Sequence, residues 1–214
     1  MADDIWPTVH AERGALADDL TSLAPERWAT PSLCGGWSVQ DVLAHMTATA
    51  TMTPPRFVAK MAAAGFRFPQ MADREVARVG AGGPAGTLEQ FRAAERSTSS
   101  PPGPKPSWLG ETLVHAEDIR RPLGIRHDYP ADAVTKVIDF YAGSNILIGG
   151  KKRIQGVTLK ATDANWSHGS GPVVEGPAMA LLMVTAGRCA ALDDLTGPGL
   201  DTLRARLTGV DPRG

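Results

Sequence analysis

One helical stretch hemmed in by prolines constrains this chain more than any other feature. Pro101 to Pro106 break the backbone on one side, and Pro122-Leu123-Gly124 stop it on the other. Between them Ser107 offers a cap, and the segment through Glu111-Thr112-Leu113-Val114-His115-Ala116-Glu117-Asp118 reads as a helix ending before Pro122. Glu111 and His115 are four apart, so they share one face, one turn from each other. A second apolar helix carries a lone histidine in Asp41-Val42-Leu43-Ala44-His45-Met46. If the two helices pack face to face, His45, Glu111 and His115 form a set of two histidines and one carboxylate. Such a set leaves a coordination position open, the pattern of catalytic rather than structural zinc.

The rest of the composition permits a folded domain around such a site. The chain has 214 residues, 43% of them hydrophobic, enough for one large domain or two small ones. Its net charge is -1, from 22 basic and 23 acidic residues, so no broad basic field supports nucleic-acid binding. Lys151-Lys152-Arg153 reads as a solvated helix end or linker. Met-Ala-Asp-Asp-Ile-Trp lacks the pattern of a signal peptide, and no apolar stretch of about 18 residues suggests a membrane span. Two cysteines, Cys34 and Cys189, fit a reducing cytoplasm better than a disulfide scaffold. The expected location is cytoplasmic, and a homodimer is compatible with the sequence.

The hydrophobic periods order the chain as mainly α. Helices are expected from Asp3 to Leu23, from Ser38 (a cap, with Asp41 against the dipole) to the Pro54-Pro55 break, and as a short element after residue 56. Gly80 to Pro84 reads as a loop, and Thr87-Leu88-Glu89-Gln90 has the capping-box form for a helix to Arg96. Ala131 to Leu147 is amphipathic and stops at Gly149-Gly150. Residues 1–150 thus read as a four-helix bundle with the site between facing helices. Residues 151–214 read as a small α+β domain. Gly156 to Thr162 alternates as a strand, and Pro172 to Glu175 can form a second. Helices follow at Ala178 to Ala186 and Leu200 to Leu207.

Spacing alone leaves two readings of Glu111 and His115 open: a metal site, or a carboxylate–imidazole pair in the core. Asp118, three residues past His115, can hold a ligand imidazole in one tautomer, or pair with Arg121. Glu117 points elsewhere and reads as exposed. His10, His127 and His168 read as surface histidines, with His168 able to touch a substrate from its loop. Cys34 reads as a small buried thiol, since no sequence neighbour would lower its pKa. The ligand set suits zinc, and its net positive charge favours an anionic fourth ligand, hydroxide or thiolate.

These residues carry a resemblance. Trp28 and Pro31-Ser32-Leu33-Cys34-Gly35-Gly36-Trp37-Ser38-Val39-Gln40-Asp41-Val42-Leu43-Ala44-His45 resemble the N-terminal signature of the mycothiol-dependent maleylpyruvate isomerase family, within the DinB-like metal-binding superfamily. Glu111-x-x-x-His115, Asp118 and Arg121-Pro122-Leu123-Gly124 resemble its second signature. Ala161-Thr162-Asp163, Trp166-Ser167, Gly171-Pro172, Gly176-Pro177-Ala178 and Gly187-Arg188 resemble its small C-terminal domain. The resemblance implies a DinB-like bundle holding a divalent metal, most often zinc, through His45, Glu111 and His115. It implies mycothiol as a thiol cosubstrate that attacks an electrophilic small molecule as a metal-bound thiolate. Arg188 is the position that matches an arginine assisting the isomerase, with Arg204 and Arg206 nearby. The segment 56–106 and the C-terminal domain are shorter than in the isomerase, which points to a different substrate pocket.

The leading expectation is therefore a metal- and thiol-dependent transferase or isomerase. A metal-dependent hydrolase on the same site, or a non-catalytic metal-binding or sensing module, are the alternatives.

Overall fold

The computed structural model describes residues 4–146 and 148–207. The chain divides into two compact units, Met1–Arg126 and His127–Gly214. The architecture is mainly α, with one small sheet.

The first unit is a helical bundle. Its elements are α1 (Trp6–Asp19), a 3-10 turn (Pro25–Ala29), α2 (Val39–Ala50), α3 (Pro54–Ala63), α4 (Phe68–Gly80), α5 (Gly83–Ala93) and α6 (Lys105–Leu123). Central α2 packs against α4, α5 and α6, and α1 closes the bundle against α5 and α6. Val9, Leu16, Val39, Leu43, Phe91, Leu113 and Ile119 are removed from water at the centre. Burying side chains of this kind contributes roughly 1.5–3 kcal/mol each. The start of α2 forms as its sequence requires. Ser38 Oγ accepts from the Asp41 amide, and the Asp41 carboxylate accepts from the Ser38 amide at 2.9 Å.

Three sequence expectations about the helix ends differ from the structure. The helix carrying Glu111 begins at Lys105 rather than at a Ser107 cap, and Ser107 Oγ instead donates to the Pro104 carbonyl at 2.6 Å. It also runs through Pro122 and ends at Gly124, whose φ of 66° closes the helix with two backbone bonds. Pro122 lacks the N–H that would bond the carbonyl of Asp118. The Leu33 amide takes that carbonyl at 3.2 Å, so the proline ties the Cys34 loop to α6. The Thr87 capping box does not form. Thr87 lies inside α5 and bonds back to the Gly83 carbonyl at 2.8 Å. Likewise residues 56–80 hold two helices, α3 and α4, where one short helix is expected. The expected helix start at Asp3 and the position Leu147 lie outside the described residues.

The second unit contains α7 (Ala131–Ala142), α8 (Gly150–Arg153), β1 (Thr158–Ala161), β2 (Ser167–Gly169), β3 (Val173–Gly176), α9 (Ala178–Thr185), a 3-10 turn (Cys189–Asp194) and α10 (Leu200–Leu207). The sheet order is β2-β1-β3, antiparallel between β1 and β2 and parallel between β1 and β3. Helix α9 is apolar all round because it is covered all round, by α7, the sheet and the second 3-10 turn. The pattern break near residue 150 suggests a boundary there, whereas the compact unit starts at His127. The reason is the apolar face of α7 (Val134, Val137, Ile138, Tyr141), which packs on α9. His168, expected in a loop, lies on β2 opposite Leu159 of β1, and β2 is a strand the sequence pattern does not announce. Among the described residues no helix is long and apolar enough to cross a membrane.

Candidate metal centre

Helices α2 and α6 face each other in the first unit and bring His45, Glu111 and His115 together. His45 Nε2 lies 2.9 Å from Glu111 Oε1, and His115 Nε2 lies 3.4 Å from Glu111 Oε2. The two imidazoles stand edge to face at 5.0 Å. The indole of Trp37, 5.0 Å from the His45 ring, walls the group, and its Nε1 donates to Asp73 Oδ1 at 3.3 Å.

The bond pattern decides what this cluster suits. Glu111 Oε1 is buried with no well-aligned hydrogen-bond donor, and its neighbour at 2.9 Å is His45 Nε2, as an ion pair. A buried acceptor left this way is costly unless a cation compensates it. Ligand atoms about 2.1 Å from a tetrahedral ion sit roughly 3.4 Å apart, close to these separations. The donor set therefore fits a divalent cation.

Asp118 completes the arrangement. Its carboxylate is fully buried and lies 2.9 Å from His115 Nδ1. With the proton on Nδ1 donated to Asp118, the lone pair of Nε2 is directed at Glu111's side of the site. The alternative partner Arg121 pairs with Glu117 instead, Nε to Oε1 at 3.0 Å, so Glu117 is half-buried rather than exposed. Replacing Asp118 with asparagine is expected to weaken metal affinity by roughly 10–100-fold while all three ligands stay. Competition against a chelating dye measures this, and an unchanged affinity would remove Asp118 from the site.

The electrostatics are those of a tight ionic group. Burial pushes the Glu111 carboxyl up, but the His115 and His45 rings outweigh burial and hold it well below the usual carboxylate range. Burial pulls the His115 imidazole down, and Glu111 and Asp118 more than reverse this, raising it from 6.5 to about 9. In chelator-treated protein the raised His115 contributes stability that is complete below pH 6.5 and lost as pH rises through about 9. Metal must displace the same proton, so its apparent affinity is expected to climb over that window, by up to about tenfold per pH unit. Thermal melts from pH 6.5 to 9 should therefore fall with pH in chelator and stay level with saturating metal, because the rising metal affinity offsets the stability lost with the proton. Parallel slopes would count against ligation by His115.

Two residues near the site escape sequence inspection. Cys34, buried in the loop docked on α6, lies with His115 and Asp118 close enough that all three could share one ion. Only the fold supplies that neighbourhood. Arg13 on α1 is also buried, and its Nη1 donates to the Ser97 carbonyl at 2.9 Å. Burial lowers its pKa from 12.5 to about 10, with Glu111 pulling the other way. No motif signals it, since an arginine on an amphipathic helix normally faces solvent.

The remaining candidates lie elsewhere. His10, half-buried on α1, has its Nε2 3.4 Å from the Ser97 carbonyl. In the second unit His127 meets the Tyr129 ring at 4.6 Å, and His168 stacks on Trp166 and lies 3.8 Å from Asp139. Arg188 is buried in that unit, donating from Nη1 to the Ala186 carbonyl at 2.9 Å, and Arg204 and Arg206 are exposed on α10.

Residues 9–102 match the family model described as the mycothiol maleylpyruvate isomerase N-terminal domain. That segment includes His45 and stops before Glu111. Two solved structures share the fold. One is a mycothiol-dependent maleylpyruvate isomerase, with TM-score 0.60 and 16% identity, covering 90% of this chain and 91% of that one. The other is a histidine-to-alanine mutant of such an isomerase, with TM-score 0.61 and 15% identity over the same shares. No curated protein matches the chain by sequence.

Proposed function

We propose, from the match of residues 9–102 to the mycothiol maleylpyruvate isomerase N-terminal domain, that this chain is a thiol-dependent enzyme of that family acting on a small electrophile at the His45, Glu111 and His115 site. The observation that carries this reading is the convergence of two imidazoles on the Glu111 carboxylate, with all three ligand atoms close enough to share one ion. A divalent cation held there, zinc by its preference for such donors, would lower the pKa of a thiol entering the open position. Mycothiol, the cosubstrate in the name of the matched family, is the thiol of first choice.

The chain's own groups prepare that position. Asp118 fixes the His115 tautomer. Trp37 and the apolar faces of α2 and α6 limit the access of water, which strengthens the charge interactions inside. Arg13 adds buried positive charge in the electrostatic reach of Glu111, which favours an anionic substrate or thiolate. Isomerisation of an anionic electrophile such as maleylpyruvate and net thiol transfer both start from this arrangement. The resemblance also gives Arg188 a part in the reaction. An Arg188→Ala variant that still protects a bound thiol but loses turnover would support it.

The test is metal-loaded protein given mycothiol and a panel of small electrophiles, maleylpyruvate first. Conversion that needs both thiol and metal is the expected result. Turnover of ester or amide substrates without thiol would replace this reading with a hydrolase. Absence of thiol protection at the site would end the thiol reading altogether.

A further inference from the structure

Helix α3 is anchored in an unusual way. It buries none of its own residues, and its inward stripe of Phe57, Lys60 and Met61 is only half-covered. Its exit is constrained, since Gly65 and Phe66 are both left-handed, with φ of 62° and 59°. Only glycine adopts that conformation cheaply, so Phe66 holds it at a cost. Beneath α3 lies a cleft of about 380 Å³, walled by Ala48, Thr51 and Met52 of α2 and its end, Arg56 and Lys60 of α3, and Glu75 and Arg78 of α4.

The charges in this cleft do not balance. Buried Glu75 engages both Lys60 and Arg78, the latter from Nη2 at 3.0 Å. Arg56 meets no carboxylate among the described residues and faces the same space. Three cations thus stand against one anion, above an apolar floor of Ala48 and Met52. Glu75 fixes two of the cations in position, which lowers the entropy lost when an anion arrives. The volume lies within the range of small-molecule sites, and the lining is mainly charged, with Ala48 and Met52 as its apolar part.

We propose that this cleft binds a small organic carboxylate with an apolar body. Its acid group meets Arg56 and the Lys60–Arg78 pair, and its body lies on Met52 and Ala48 and completes the underside of α3. None of the metal-site residues lines the cleft.

The test is benzoate titrated into isotope-labelled full-length protein, followed by amide shifts with and without chelator. Shifts are expected at residues 48–60 and 75–78, the same in both metal states. The exposed Arg56→Ala substitution should weaken binding by about tenfold, the loss of one charge-assisted contact. Neutral benzyl alcohol should leave the same amides unmoved. Binding undiminished in Arg56→Ala, or shared by benzyl alcohol, would overturn the proposal. So would shifts centred on His45 and His115 that vanish with chelator, which would place benzoate on the metal. Inorganic phosphate binding as tightly as benzoate would remove the need for an apolar body and sink the ligand class named here.

Discussion

His115→Ala is expected to yield protein with no bound metal, against about one ion per chain in the wild type. His115 supplies Nε2 to the cluster, and Asp118 orients its ring. Its loss should exceed the roughly 10–100-fold effect of disturbing an outer partner. The variant should also unfold more easily, by about 3 kcal/mol, because the fully buried Asp118 loses its imidazole partner. His45→Ala should lose the metal as well, with a smaller cost in stability, since Glu111 keeps the His115 ring beside it. Metal analysis beside urea titration separates the two effects. Wild type that binds no zinc when it is added would make these residues core packing and withdraw the enzyme reading with them.

Arg120→Met is expected to be the most destabilising single change outside the site. Arg120 is fully buried, with Nε 2.7 Å from Asp19 and Nη1 3.6 Å from buried Glu12. Methionine fills much of the same volume but removes the cation that buried Glu12 and Asp19 face. Breaking a buried pair from one side costs roughly 3–5 kcal/mol. The urea midpoint should fall with the slope unchanged. Glu12→Gln in the same chain should restore part of the loss, because the buried charge is then gone. The folded fraction should still bind metal, since Arg120 touches none of the three ligands. A loss below about 1 kcal/mol would mean that water or neighbours satisfy Glu12 without Arg120.

Much of this molecule is legible in its sequence, for local reasons. The Glu111 and His115 pair is readable because helical spacing alone puts four-apart residues on one face. The Ser38 and Asp41 box is readable because both partners lie within one turn. The change near residue 154 is readable because strand and helix have different periods. The misreadings share a cause as well. Pro122 and Thr87 carry strong local preferences, for a stop and for a cap. Each is overruled by a partner distant in the chain or by an earlier nucleated turn. Helix α7 looks like one more bundle helix, because amphipathicity says that a face is buried and not what buries it.

The sequence by itself determined the helical character of the chain, the three candidate ligands and the small α+β tail. It also carried the family signature. Only the tertiary structure decided that His45 of α2 meets Glu111 of α6 at 2.9 Å. It alone brought Cys34 beside His115, buried Arg13 within reach of Glu111, and left three cations around one glutamate under α3. The reason is physical. Periodicity and capping act over one or two turns of backbone, whereas burial, desolvation and charge pairing depend on groups that folding brings together from dozens of residues apart.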